Sequence, residues 1–291
     1  MSGSRRAYLA WMVVCVVWGT TYLAIRVALE TIPPLIMGGI RWTVAGALIL
    51  SVLKTRGERL PSAGSWPSLA ILGLLLLGLG NGGVVWAEQT VPSGLTAVLV
   101  ATSPFWMAGI DAMMKDGEPL TIRRLSGLAV GFSGILLLVG PDIRVGAGRA
   151  FLGGVIASQI ACAGWAVGSL YARRRRQTEN VLAAAAFEML FGGVFLLIAG
   201  LLRREWAMLA FNPRTTGAFL YLVFVGAIGG FSAYVYALKH LPVSIVSLYA
   251  YINPVIAVLL GTLLLREPFT WRMAAAAGVI LTGVALVRQE P

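Results

Sequence analysis

The run YINPVIAVLLGTLLLREPFT, residues 251–270, is apolar enough to cross a bilayer, yet it carries Asn253-Pro254 near its start. Ser103-Pro104 has the same place in an earlier run. Proline has no N–H and its ring clashes with the preceding turn, so each dipeptide frees carbonyls, around Val100 and Ala250. In lipid those carbonyls need a polar partner or a wet cavity, and each proline follows a polar residue. Thr102, Ser103, Tyr249, Tyr251 and Asn253 surround these helix-breaking positions, with Thr96, Ser244 and Ser247 nearby. The chemistry they offer is non-covalent. Hydroxyls and amides can meet an ammonium or a carboxylate, while rings cover an apolar side chain. Single membrane serines and threonines also bond back to their own helix, and a packing kink is the simpler reading of either proline.

Other runs add candidates of the same kind. Trp11, Cys15, Trp18 and Tyr22 recur at three and four residues and share one helix face. Trp11 reads as an interfacial ring, whereas Trp18 and Tyr22 lie deeper, as packing or as cavity contacts. Asn81 brings an amide into lipid and must point into a bundle, toward a cargo or a neighbouring helix. Trp165, Ser169, Tyr234 and Tyr236 would complete an aromatic, hydroxyl-lined chamber. Glu88, at the end of its run, reads as a solvated cap. Arg41, Asp111 and Glu188 are charges inside apolar runs, each needing a partner, water or a position near an end. Asp111 has Lys115 one turn on; Arg41 and Glu188 suit gate or scaffold roles, with Glu188 the better candidate for proton coupling.

Enzymatic chemistries find little support. The single histidine, His240, sits in a short turn, and no nucleophile elbow, metalloprotease motif or Walker-type phosphate loop occurs. Cys15 and Cys162 are too few for a cysteine-cluster metal site and lie in apolar runs, where packing is their ordinary use. No catalytic residue, metal or cofactor is expected.

The elements that must position these residues are membrane helices. Apolar residues make up 58% of the chain and charged ones 12%, with a mean hydropathy of +0.83, which excludes an ordinary water-soluble globule. Ten apolar runs of bilayer-crossing length fall near 8–29, 33–53, 67–87, 94–114, 122–140, 150–172, 181–202, 216–238, 242–265 and 271–287. The net charge of +11 is spread among the breaks rather than gathered with aromatics on one face, which argues against nucleic acid. With the N-terminus inside, fourteen basic residues fall in cytoplasmic segments and eight in outer ones, a bias that puts both termini in the cytoplasm.

The chain is also written twice. VPSGLTAVLVATSPFWMAGIDAMMKDGEPLTIRRLSGLAVGFSGILLLV (91–139) aligns with LPVSIVSLYAYINPVIAVLLGTLLLREPFTWRMAAAAGVILTGVALV (241–287) across a two-residue gap. Pro92 pairs with Pro242, Ser103-Pro104 with Asn253-Pro254, Glu118-Pro119 with Glu267-Pro268, and Gly134 with Gly283. Upstream, a constant offset of 147 pairs Cys15 with Cys162, Trp18 with Trp165, Arg26 with Arg173 and Arg41 with Glu188. Five runs per half is an odd number, so the second half enters the membrane from the opposite side. The expectation is an all-α membrane protein of ten helices, built as two inverted five-helix repeats, residues 1–145 and 146–291, around a central cavity. Gly78-x-x-x-Gly82, Gly127-x-x-x-Gly131 and Gly226-x-x-x-Gly230 would let helices pack closely.

VVWGTTYLAIR (16–26) after a short basic N-terminus, YALKHLPVSIVSLYAYINPVIAVLLGTLLLREPFTW (236–271) and the closing GVILTGVALV (278–287) resemble the EamA-type members of the drug/metabolite transporter superfamily. Within it the chain looks similar to the YddG-type bacterial inner-membrane amino-acid exporters. The resemblance implies ten helices in two five-helix repeats, with a cavity lined by the first, third, fourth, sixth, eighth and ninth spans. It also implies export of small amphipathic metabolites from a multi-pass protein of the inner membrane, with the lipid bilayer and a small-molecule substrate as partners. The four-helix multidrug relatives carry a glutamate in their first helix; here the first span has no acid before Glu30, so that mechanism does not carry over. Planar or quaternary cations, held over Trp18, Trp165 or the tyrosines, are the alternative cargo.

Overall fold

Backbone N–H and C=O groups in hydrocarbon must be satisfied within the chain, and a helix does this segment by segment. In the computed structural model every regular element among the described residues is accordingly helical. The structure describes residues 3–114, 121–144, 148–175, 179–241, 243–246 and 249–288; Lys115, Glu118-Pro119, Pro242 and Ser247 and the side chains of Ser244 and Tyr251 fall outside that description. The helices are α1 Gly3–Ala28, α2 Pro34–Thr55, α3 Ala63–Ala87, α4 Ser93–Ala112, α5 Ile122–Arg144, α6 Arg149–Arg174, α7 Val181–Leu202, α8 Pro213–His240, α9 Tyr249–Leu265 and α10 Trp271–Arg288. A single turn, Val243–Val246, precedes α9. Each apolar run coincides with one of these helices. Among the described residues seven helices are long and apolar enough to cross a membrane, joined by a shorter apolar stretch, Ile252–Leu265. Val16, Ile156, Val255 and Leu259 are each more than half exposed, as suits side chains facing lipid.

The starts of the helices follow from local sequence. Pro34 and Pro213 occupy first-turn positions, where a missing N–H costs nothing. Asn212 and Thr215 form a capping box at the head of α8, and Asn180 accepts from Leu182 and Ala183 at the head of α7. Carboxylates from elsewhere cap two more helices. Glu205 accepts from the amides of Leu35 (2.9 Å) and Ile36 (3.0 Å) at the start of α2. Glu267, just past α9, accepts from the Ser93 amide (2.9 Å), the Ser93 hydroxyl (2.8 Å) and the Gly94 amide (3.2 Å) at the start of α4. An anion at a helix N-terminus satisfies orphan donors and the positive end of the dipole together.

Glycine sets how closely the helices approach. A Cβ on Gly39 would stand 2.6 Å from Leu197, and one on Gly46 would stand 2.7 Å from the Ala186 carbonyl, so α2 and α7 run antiparallel with almost no gap. The same holds for α5 and α10, where a Cβ on Gly283 would meet the Gly131 nitrogen at 2.5 Å and one on Gly134 would meet Ile280 at 2.7 Å. These two antiparallel pairs have the most extensive helix contacts in the molecule. Two stretches depart from α-geometry: Gly73–Asn81 within α3 and Leu222–Phe231 within α8 are π-helical. π-Helical turns are rare and occur frequently at functional sites.

The two proline dipeptides behave differently. In α4 the helix interrupts at Ala101-Thr102 and resumes at Ser103, with Pro104 in the first turn of the new segment. In α9 the helix continues through Pro254 without interruption. The expected break at Pro254 is therefore absent from its own position.

Candidate functional site

Between α1, α2, α3, α4, α6, α8 and α9 lies a cavity of about 80 Å³, room for a few water molecules. Its walls carry Trp18, Tyr22, Arg41, Asn81, Ser103, Trp165, Tyr249 and Asn253 from among the expected residues. Thr21, Trp42, Cys162 and Phe231 also line it and were not singled out as cargo contacts. Arg41 thus belongs to the cavity wall and not only to a gate or scaffold.

The aromatic residues form one connected group. Trp18 and Trp165 meet edge to face at 5.7 Å between ring centroids. Tyr249 stands edge-on to Trp18 at 5.2 Å, and Tyr234 packs against Trp18 at 5.0 Å and Trp165 at 5.7 Å. These spacings are in the range where ring quadrupoles add to burial. Each tryptophan rests on a glycine of a π-helical stretch: a Cβ on Gly230 would come within 2.7 Å of the Trp18 indole nitrogen, and one on Gly80 within 3.0 Å of the Trp165 ring. The glycines leave the space that the indoles occupy. Tyr234 itself is buried behind the tryptophans rather than on the wall.

The polar residues divide between cargo-facing and structural. Asn81 faces the cavity and accepts from the Trp42 indole at 2.9 Å, so it meets a neighbouring helix as well. Ser103 donates to the Val100 carbonyl at 2.7 Å, the group that Pro104 leaves without its N–H. The Cys162 thiol, 3.8 Å from the carbonyls of Leu99 and Val100, supplies a second, weaker donor. Thr102 is fully buried, donates to Leu99 at 2.6 Å and lies 3.1 Å from the Gln159 amide oxygen, which also accepts from Trp106 at 3.0 Å. Thr102 therefore braces the interruption in α4 and is off the cavity wall. Ser169 bonds back to Trp165 at 2.7 Å, the ordinary membrane serine contact. The Asn253 amide nitrogen donates to the carbonyls of Cys15 (2.9 Å) and Tyr249 (3.2 Å), tying α9 to α1. The Tyr251 side chain lies outside the described residues.

Three acids have different settings, and one of them departs from the sequence reading. Asp111 pairs with Arg174 at 3.3 Å across α4 and α6. Glu188 is buried on α7 but does not line the cavity. Glu88 is the clearest correction: instead of a solvated cap it is fully buried in the turn after α3, and neither carboxylate oxygen has a hydrogen-bond partner among the described residues. Burial, then the charge of Glu267, pushes its carboxyl well above the ordinary carboxylate range, against the opposing pull of Arg26 and Arg41. Arg26 closes over it by donating to its backbone carbonyl. Among the described residues no group of three or more metal-ligating side chains is found.

Known proteins place this architecture. The profile of the EamA-like transporter family matches twice, at residues 5–140 and 152–289. The chain is 38% identical over 278 residues to the uncharacterized inner membrane transporter YedA of Escherichia coli (strain K12), covering 94% of this chain and 87% of that one. It is 26% identical over 283 residues to the uncharacterized transporter YvbV of Bacillus subtilis (strain 168), covering 97% and 90%. One solved crystal structure superposes with a TM-score of 0.68 at 20% identity, over 97% of this chain and 96% of that chain, which shows a shared fold. With helices of bilayer-crossing length and a family profile over nearly its whole length, the chain is a multi-pass membrane protein that belongs to the EamA-like transporter family.

Proposed function

We infer that this transporter works by alternating access between two inverted five-helix repeats, residues 1–145 and 146–291, carrying amino acids, aromatic ones included, outward across the bacterial inner membrane. The observation that carries the reading is the meeting of Trp18 and Trp165, residues 147 apart in sequence, edge to face beside the central cavity. Matching residues of two halves touch one another only near the axis that relates the halves. The antiparallel packing of α2 on α7 and of α5 on α10, each helix against its own sequence counterpart, supports an axis lying in the membrane plane. The paired family matches support the division into repeats. Amide, hydroxyl and guanidinium groups beside a cluster of packed rings suit a small zwitterion with an apolar side chain. Both termini are cytoplasmic in this reading, and the coupling ion, proton or none, follows from whether a pH gradient drives flux.

The test is uptake of labelled amino acids into liposomes holding the purified protein, with and without a pH gradient. Flux above empty vesicles supports the substrate class, and its absence across an amino-acid panel refutes it. Tags at residues 1 and 145 should report from opposite sides of the membrane; the same side for both would end the inverted arrangement. The Trp18, Trp165 and Tyr249 cluster also favours a second reading, planar or quaternary cations held by ring faces. Protection of expressing cells against a viologen, without amino-acid flux, would select it.

A further inference from the structure

We propose that Arg41 is the carboxylate anchor of the cargo site, so that the transported molecule must carry an anionic carboxylate. The side chain is only 2% exposed, yet it lines the cavity. Its guanidinium is fixed on three sides. Nε donates to the carbonyl of Leu222, the first residue of the π-helical stretch in α8, at 3.1 Å. The Trp42 ring lies under it with the guanidinium carbon 4.5 Å from the centroid. A Cβ on Gly226 would stand 3.0 Å from Nη2, so the glycine lets the head group lie close against α8. The remaining nitrogen, Nη1, is buried with no hydrogen-bond partner among the described residues. The neighbouring buried carboxyl, Glu88, feels the charge of Arg41 but makes no hydrogen bond to it, since both of its oxygens are themselves unpartnered.

A guanidinium stays charged in any ordinary environment, and a buried charge without a partner is strongly unfavourable. An arrangement that holds one on a cavity wall and leaves Nη1 without a hydrogen-bond partner among the described residues is complementary to an anion that arrives with the cargo. The planar fork suits a carboxylate. Trp18 and Tyr249 on the same wall then cover the apolar part of the molecule. This deepens the amino-acid reading and rests on it for the identity of the whole cargo, but the carboxylate requirement can be tested separately.

Two measurements do so. In detergent, 3-phenylpropionate, which has the carboxylate and ring but no ammonium, should raise the melting temperature of the wild type and leave Arg41→Gln unmoved; phenethylamine should shift neither. In liposomes, wild type should prefer labelled phenylalanine to phenethylamine, and Arg41→Gln should lose roughly tenfold or more of the phenylalanine flux, the scale of one charge-assisted hydrogen bond. Arg41→Lys keeps the charge without the fork and should fall between them, which also answers the objection that the glutamine variant folds poorly. No shift of the wild type by 3-phenylpropionate, or an undiminished preference for phenylalanine in Arg41→Gln, overturns the anchor. Absence of wild-type amino-acid flux alongside a clear 3-phenylpropionate shift would instead refute the amino-acid reading and leave the anchor standing.

Discussion

The corner where α4 meets α6 and the corner where α9 meets α1 are built from matching sequence, Ser103-Pro104 with Cys162 and Asn253-Pro254 with Cys15, yet they are solved in opposite ways. In the first, the helix interrupts before the proline, and the freed carbonyl of Val100 accepts from Ser103 of its own helix and from the Cys162 thiol of the partner helix. In the second, the helix runs on through the proline, and donors flow the other way, from Asn253 to the backbone of Cys15. A proline in a membrane helix thus specifies a shortage of donors, not a bend. Two copies of one motif adopt two backbone shapes in one molecule.

The comparison can be broken or sharpened by substitution, with thermal stability of the purified protein as the measure. Removing either indole should have the largest effect and the same size on both sides: Trp18→Ala and Trp165→Ala each cost about 3–5 kcal/mol, as for large aromatic truncations elsewhere. A double-mutant cycle should return a coupling of about 1 kcal/mol for the ring pair. Markedly unequal single costs would argue against equivalent positions. Next, Pro254→Ala should stabilise by about 3 kcal/mol, since it restores an N–H and relieves a clash inside a continuous helix, whereas Pro104→Ala should be nearly neutral in a first turn. Equal effects would erase the contrast between the corners. Ser103→Ala, leaving the Val100 carbonyl to a thiol alone, should cost about 1–3 kcal/mol. Glu267→Gln, which weakens the cap on α4 without removing it, should be smallest, about 1 kcal/mol or less.

Much of this architecture could be read from residues alone. Long apolar runs between charged breaks mark every helix, because hydrocarbon leaves the backbone no other economical choice. The offset of 147 marks Trp18 and Trp165 as equivalent positions of the two halves, whereas their contact is visible only in the fold. Directions were harder to read. Nothing in the spacing of Trp42 or Phe231 tells which face of α2 or α8 meets the cavity that both residues line. Arg41 reads as a gate because its surroundings, Leu222, Gly226 and Trp42, come together only when α2 and α8 cross. Glu88 reads as solvated because it ends a run; its burial depends on Arg26 of α1 reaching over it, 62 residues away in sequence. Gln159 is one polar residue in a long helix, and its part in holding the α4 interruption follows only from Thr102 and Trp106 converging on its amide oxygen.

The glycine-lined seams between α2 and α7 and between α5 and α10 have a mechanical consequence. Backbones pressed together with side chains wedged between them cannot slide lengthwise without collision, so each seam behaves as a clasp. A change in the chamber that kept both clasps closed would fall on the helices between them.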